Sequence, residues 1–75
     1  MTQKELLYVE DAVGHEESIV KILNSSLEFL EDDKLITFIE EEISKHEDLK
    51  QGLLNLLEDE SNEWSNNYGK LFIST

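Results

Sequence analysis

The feature that most constrains the fold of this chain is a change of phase between two apolar stripes, in a sequence without proline. The first stripe advances by alternating steps of three and four residues, which is typical of one helix face and predicts a long helix. Ala12, Ile19 and Ile22 widen it on one side, and Gly14 marks either a close helix contact or a tolerated weak position. One acid interrupts the stripe, whose members are Leu6, Val9, Val13, Glu16, Val20, Leu23, Leu27 and Leu30.

The first stripe does not continue past residue 30. Its next four positions hold the polar residues Lys34, Thr37, Glu41 and Ser44. A new stripe begins instead, and its members are Leu35, Ile36, Ile39, Ile43, His46, Leu49, Leu53, Leu56 and Leu57. At the break, Asp32 is a good helix N-cap and Asp33 suits the positive end of a helix dipole. Because a short connection makes helices antiparallel neighbours, the sequence favours an antiparallel two-helix hairpin over one continuous helix.

The predicted fold class is therefore all-α. Thr2 and Glu5 have the spacing of a capping box, so helix 1 is expected at about residues 3–30. Helix 2 is expected at about residues 33–59, followed by a short helical or irregular tail.

The C-terminal tail, residues 60–75, permits two interpretations. In the first, helix 2 ends near residue 60 and Ser61 caps a short third helix. In the second, Trp64 and Tyr68 continue the stripe of helix 2. In either case the apolar residues 71–73 are expected to fold back or to join an interface.

The size of the chain predicts self-association. Residues 1–75 form a single helical domain, and a domain this small buries only about 60% of the surface that its unfolded chain exposes. There is no cysteine, so no disulfide can stabilise it. Two helices make only one layer of contact, so we expect a homodimer through the helix seams that forms a four-helix bundle, with another protein partner left open.

The charge excludes several classes of partner. The formal net charge is −12 and the chain contains no arginine, so binding to nucleic acid or to an anionic membrane surface is not expected. No stretch approaches the roughly 18 apolar residues of a membrane span, and the N-terminus lacks a signal sequence. We therefore expect a cytoplasmic protein.

An internal repeat surrounds the two histidines. A shift of 31 residues superimposes an acid-acid-x-x-x-His-acid-acid pattern, which aligns Glu10-Asp11 and His15-Glu16-Glu17 with Glu41-Glu42 and His46-Glu47-Asp48. An acid four residues before a histidine lies on the same helix face, so each pair could share a metal ion. In an antiparallel hairpin the two histidines differ by only about 4–5 Å along the axis.

A metal-binding ferritin-like bundle is therefore the alternative function. Its predicted ligands are Asp11, His15, Glu42 and His46, a set that suits zinc, iron or manganese. In the di-iron bundle motif the glutamate stands three residues before the histidine. Ala12 and Ile43 occupy those places here, so the favoured expectation is a protein without cofactor.

No recognised catalytic motif is present. The chain has no nucleophilic cysteine and no G-x-S-x-G sequence, and its glycines stand alone rather than in a phosphate-binding loop. Ser, His and acidic residues occur, but their spacing does not place them as a triad. We expect a structural or interaction protein, not an enzyme.

Two segments carry a family resemblance. Residues 8–16, Tyr-Val-Glu-Asp-Ala-Val-Gly-His-Glu, and the segment from Glu40 to Glu47 resemble the short spore coat protein-like family of spore-forming Firmicutes. That family is distantly similar to coat F proteins, which have a ferritin-like helical bundle. The resemblance covers about residues 5–60 and implies a non-catalytic, self-associating bundle in a sporulating bacterium, in the cytoplasm or in the spore coat.

Overall fold

Two α-helices packed against each other make up this computed structural model. It describes residues 1–73, with side chains described through Ser61. Helix α1 spans Gln3–Leu27 and helix α2 spans Asp33–Ile73. No strand occurs among residues 1–73. The predicted all-α hairpin is confirmed.

Helix α1 begins with the predicted capping box. The Thr2 hydroxyl accepts a hydrogen bond from the Glu5 N–H at 3.1 Å, and the Glu5 carboxylate accepts one from the Thr2 N–H at 2.8 Å. The two bonds satisfy backbone donors that have no partner inside the helix. The bond from the Thr2 N–H to the carboxylate is also the largest cause that lowers the pKa of Glu5, followed by a side-chain hydrogen bond to Thr2.

Helix α1 ends at Leu27, before the predicted end near residue 30. The N–H of Glu28 donates to the carbonyls of Ser25 and Ser26, and the N–H of Phe29 donates to Ser26 at 3.0 Å. These bonds reach back only two or three residues instead of four, so the chain tightens out of α-helical geometry. The first stripe extends beyond the end of the helix, as the half-buried Leu30 shows.

Helix α2 starts at the predicted cap and is longer than predicted. Asp32 Oδ1 accepts a hydrogen bond from the Leu35 N–H at 2.8 Å. The helix then continues to Ile73, well beyond the predicted boundary near residue 59. No proline interrupts it, and each of its two glycines, Gly52 and Gly69, is unfavourable by only about 1 kcal/mol.

The two interpretations of the tail are decided only at the level of the backbone. Helix α2 is continuous, so the structure contains no separate third helix between Asp33 and Ile73. The stripe positions predicted for Trp64 and Tyr68, and the predicted packing of residues 71–73, lie outside the side chains that the structure describes.

Sixteen positions form the contact between the helices, here called the seam. All are buried or half-buried, and the second set of eight repeats the first after 30 residues. The seam consists of residues 6, 9, 13, 16, 20, 23, 27 and 30 from the first half of the chain and 36, 39, 43, 46, 50, 53, 57 and 60 from the second. The predicted first stripe is confirmed as half of the seam.

The second half of the seam differs from the predicted second stripe. Lys50 lies half-buried in the seam, whereas Leu35, Leu49 and Leu56 are 43–50% exposed. The three-four spacing that starts at Ile36 places position 50, not 49, against helix α1. A lysine tolerates this place because its aliphatic stem can pack while its ammonium group reaches water.

The core inside the seam is small. Among the described side chains, Val13 and Ile43 are the buried hydrophobic residues, each 9% exposed, and no side chain is less than 2% exposed. Gly14 is exposed, and no side chain lies within 4 Å of where its Cβ would stand, so it is a tolerated weak position rather than a close helix contact. The hairpin alone leaves much of its apolar surface in water.

Candidate functional site

A carboxylate and an imidazole meet inside the seam. His46 Nδ1 lies 2.5 Å from Glu16 Oε2, and the two side chains are 27% and 13% exposed. Each residue interrupts the apolar series of its own helix directly opposite the other. An ionised carboxylate can only accept a hydrogen bond, so with Glu16 ionised this contact requires the His46 tautomer that carries a proton on Nδ1.

This pair favours one register of the hairpin. A slip of one helix by one turn would move the two groups apart by about 5 Å. Each group would then be partly buried without its partner, which is unfavourable by about 1–3 kcal/mol. The pair therefore discriminates against slipped arrangements of the two helices.

The structure does not bring the four predicted metal ligands together. Asp11 and His15 are exposed on helix α1, and Glu42 Oε1 accepts a hydrogen bond from Lys45 Nζ at 3.2 Å. His46 is engaged in the seam, as described above. Among the side chains described, no three histidine or acidic residues are grouped so as to hold a metal ion. The metal site stays a prediction.

Sequence reasoning missed Glu16 as the partner of His46. The sequence repeat at 31 residues aligns His46 with His15, whereas burial repeats at 30 residues and aligns it with Glu16. The signal that could have found the pair is the polar position in each stripe. An acid in one apolar stripe and a histidine in the other are expected to face each other when both are partly buried.

A second set of positions lies beside the seam and forms one broad side of the hairpin, here called the apolar face. On both helices each of these positions directly precedes a seam position in the sequence, as Ala12 precedes Val13 and Glu42 precedes Ile43. In an antiparallel pair, such equivalent positions lie on the same side. The apolar face consists of Tyr8, Ala12, His15, Ile19, Ile22, Ser26, Phe29, Leu35, Phe38, Glu42, Lys45, Leu49, Gly52 and Leu56.

The apolar face holds most of the exposed hydrophobic surface. Nine large hydrophobic side chains are exposed among those described, and only Met1 and Leu7 lie outside this face. Exposure on the face ranges from 43% at Leu35 to 82% at Phe29. The remaining members are Tyr8, Ile22, Phe38, Leu49 and Leu56. A concentration of this kind marks an interaction surface, since scattered exposed residues would not align.

The opposite broad side, here called the acidic face, has the reverse character. A groove on this side is lined by Leu6 and Leu57 of the seam together with Glu10 and Ser61, which shows that these flanks of the two helices lie on the same side. The acidic face consists of Leu7, Glu10, Gly14, Glu17, Lys21, Asn24, Glu28, Thr37, Glu40, Ser44, Glu47, Gln51, Leu54 and Glu58. Six glutamates stand against one lysine, so this side remains hydrated.

A polar pair lies at the middle of the apolar face. The Lys45 ammonium group donates to the Glu42 carboxylate at 3.2 Å, and the two side chains are 72% and 28% exposed. Between residues 8 and 56 the apolar face thus carries one acid and one lysine, and at its open end the equivalent positions hold two further acids, Glu5 and Asp59. Hydrophobic residues lie on both sides of this pair along the hairpin.

Within residues 1–61, no helix combines the length and the apolar character that crossing a membrane requires.

Comparison with known proteins identifies no relative of this chain. The chain matches no protein-family profile, no curated protein sequence and no solved structure.

Proposed function

We propose that this protein is a non-catalytic interaction protein whose hairpin binds a second copy of itself. The apolar face is the contact surface, and two hairpins packed face to face give a four-helix bundle. The observation that carries the proposal is that seven of the nine large hydrophobic side chains that are exposed within residues 1–61 lie on this face. A monomer would leave this surface in water, where it is unfavourable.

The area of the face supports a dimer. Exposed fractions of 43–82% on seven side chains of about 200 Å² each give roughly 800 Å² of apolar surface. Stable protein interfaces bury about 800 Å² on each partner. The face is therefore large enough for a specific contact between two copies.

The thin core of the hairpin supports the same conclusion. No described side chain is fully buried in the isolated chain. Two-helix hairpins need a second layer to surround a core, and a second hairpin supplies it. Packing on the apolar face would bury Ile19 and Ile22 further and would leave the acidic face in solvent.

Sedimentation equilibrium tests this proposal with a matched pair of variants. Ile22 and Leu7 are both exposed on helix α1, by 67% and 56%, but only Ile22 lies on the apolar face. Ile22→Lys is expected to weaken dimerisation at least 100-fold, because it buries a charge at the interface. Leu7→Lys should leave the dimer intact. Equal behaviour of the two variants would show that the apolar face is not the interface.

Wild-type melting provides a test that requires no variant. The melting temperature of a dimer rises with protein concentration, because association stabilises the folded state by mass action. We expect such a rise between about 5 and 500 μM. A folded 8.7 kDa monomer with a concentration-independent melting temperature would overturn the proposal.

The biological setting of the proposal comes from the family resemblance. A self-associating helical protein of a sporulating bacterium, in the cytoplasm or the spore coat, fits a bundle with a hydrated outer surface. Immunolocalisation in sporulating cells would distinguish the cytoplasm from the coat.

A further inference from the structure

We infer that the two copies pack with their loops at opposite ends of the bundle, around a two-fold axis at the level of Lys45. This inference rests on the proposed function and specifies the arrangement of the two hairpins. It follows from the sizes of the side chains on the apolar face and from the register of the helices.

The register fixes which residues lie at the same level of the hairpin. Glu16 contacts His46, and the Met1 ammonium group lies 3.2 Å from Glu60. Residues whose numbers add up to about 61 or 62 are therefore at the same level.

The two smallest side chains of the apolar face lie together, away from the loop. They are Ala12 on helix α1 and Gly52 on helix α2, and their numbers place them within about 3 Å of one level. No side chain lies within 4 Å of the position that a Cβ would take at Gly52. This part of the face is a shallow depression.

Two large, exposed side chains lie together nearer the loop. Ile22 on helix α1 is 67% exposed and Phe38 on helix α2 is 55% exposed. Their numbers also place them at nearly one level, about 15 Å along the first helix from Ala12. This part of the face protrudes.

These four positions are complementary when the loops lie at opposite ends. Each helix then packs over the same helix of the second copy, and the axis passes halfway between the paired positions. The midpoint of Ala12 and Ile22 is residue 17, and the midpoint of Phe38 and Gly52 is residue 45. Residues 17 and 45 lie at the same level in the register, so a single axis places both large residues over both small ones. Alternating large and small side chains fill such an interface without voids.

The other arrangement, with both loops at the same end, packs the face poorly. Helix α1 of one copy would then lie over helix α2 of the second copy at equal levels. Ala12 would face Gly52 and leave a void, while Ile22 would face Phe38 and crowd it. Both voids and overpacking are unfavourable.

The axis also gives a defined environment to the central polar pair. Lys45 lies on the axis, three residues from Glu42 of its own chain and an equal distance from Glu42 of the second copy. The resulting group of two lysines and two carboxylates has no net charge. The two Lys45 ammonium groups face each other across the axis, and the Glu42 carboxylate that each one contacts in its own chain offsets their repulsion.

Spin-label distances test the arrangement. The chain contains no cysteine, so a single Glu31→Cys variant carries one label in the loop of each copy. With loops at opposite ends, the labels are about 40 Å apart, from 28 residues at 1.5 Å each. With loops at the same end, they are within about 20 Å, because neighbouring helix axes are 8–10 Å apart.

A second label separates failure of the arrangement from failure of the proposed function. Glu17→Cys places a label on the acidic face at the level of the axis, where either dimer gives about 25 Å from the helix spacing and the label length. A 25 Å distance at Glu17 with a short distance at Glu31 would overturn the arrangement alone. A loss of coupling at both sites, with a monomer in sedimentation, would overturn the dimer and the arrangement with it.

The Ala12→Ile variant provides an independent measurement, because the two arrangements predict opposite signs. With loops at opposite ends, the new side chain meets Ile22 of the second copy, and dimerisation should weaken by about 10-fold or more. With loops at the same end, it would fill the space beside Gly52 and strengthen the dimer. A tighter dimer in this variant would contradict the inference.

Discussion

The apolar face and the acidic face have fourteen positions each, are built on the same two helices and flank the same seam. Six glutamates and one lysine lie on the acidic face, whereas the apolar face between residues 8 and 56 carries one of each and seven exposed large hydrophobic residues, with Glu5 and Asp59 only at its open end. Helix formation does not require this difference, since either pattern is compatible with an α-helix. This difference teaches that the sequence specifies two surfaces separately. One is the seam, through which the two helices pack, and the other is the apolar face, which remains exposed in the single hairpin.

The largest expected effect on dimerisation and folding comes from a charge introduced on the apolar face. Phe38 belongs to the apolar face and Thr37 to the acidic face, so Phe38→Glu and Thr37→Glu introduce the same charge one residue apart. Truncating a buried phenylalanine is unfavourable by about 3–5 kcal/mol, and a buried charge adds to this. We expect Phe38→Glu to be monomeric and largely unfolded at micromolar concentration, measured by sedimentation and circular dichroism. If Thr37→Glu had the same effect, the two faces would not differ in function.

A smaller effect on stability is expected from a substitution in the seam, which lies between the two faces. Glu16→Leu leaves His46 without its partner and should lower the free energy of unfolding by about 1–3 kcal/mol. The double variant Glu16→Leu/His46→Leu should recover most of this loss, because replacing both partners of a hydrogen bond by apolar residues leaves neither group unsatisfied. Chemical denaturation of the four proteins in this double-mutant cycle gives the coupling. Additive losses would mean that the two side chains do not interact.

The cap of helix α2 is expected to contribute about 1 kcal/mol. Asp32→Ala removes the acceptor for the Leu35 N–H, at the start of the helix that carries half of each face. Asp32→Asn keeps an acceptor and is the matched control. Urea denaturation should show the loss in the alanine variant only. Equal stability of the two variants would show that this hydrogen bond is unimportant.

Repulsion on the acidic face should be weaker still. Glu17 and Glu47 lie at nearly the same level on this face, so Glu17→Gln should stabilise the protein by a few tenths of a kcal/mol. The gain should disappear in 1 M salt, where the Debye length is about 3 Å. Asp11→Asn, an exposed acid away from the seam, is the control for net charge alone. A gain that persisted in high salt would have another cause than repulsion.

The smallest effect concerns pH and the first helix. Hydrogen bonds to Thr2, led by the bond from its backbone N–H, lower the pKa of Glu5 below the ordinary value of 4.5. A lowered pKa in the folded state means that Glu5 stabilises the fold above the unfolded pKa, and that this contribution is lost as pH falls through the folded pKa. Wild type should therefore be more stable than Glu5→Gln at pH 6, and the difference should shrink as pH falls below the unfolded pKa. Thermal melts at pH 6 and near pH 3 measure it, and an increase of the difference at the lower pH would reverse the assignment.

The parts of the fold that were predicted correctly are those that local chemistry determines. The capping box at Thr2, the cap at Asp32 and the change of phase between the stripes each follow from a few neighbouring residues. The helix ends were less accurate. Tightening after Ser25 and the continuation of helix α2 past residue 59 depend on small differences between competing backbone hydrogen bonds, which no local motif marks.

The candidate site was harder to predict because it depends on the register of two helices. A change of one residue in the face of helix α1 places His15 instead of Glu16 in the seam, and the same change on helix α2 exchanges Lys50 for Leu49. The sequence contains many leucines near each seam position, so the apolar pattern alone does not decide between positions 49 and 50. The contact between Glu16 and His46 supplies that decision, and it is visible only once the helices are packed.

The short loop decides which copy of helix α2 packs against a given helix α1. Because all copies of the chain are identical, helix α1 of one molecule presents to helix α2 of any other molecule the same side chains that it presents to its own. The loop of residues 28–32 is therefore a tether, and it keeps the seam within one chain by giving helix α2 an effective concentration in the millimolar range beside helix α1. Cleavage of the loop would keep every contact of the seam and would convert its closure from a unimolecular step into a bimolecular one. The stability of the seam would then depend on protein concentration, as the stability of the dimer contact on the apolar face does.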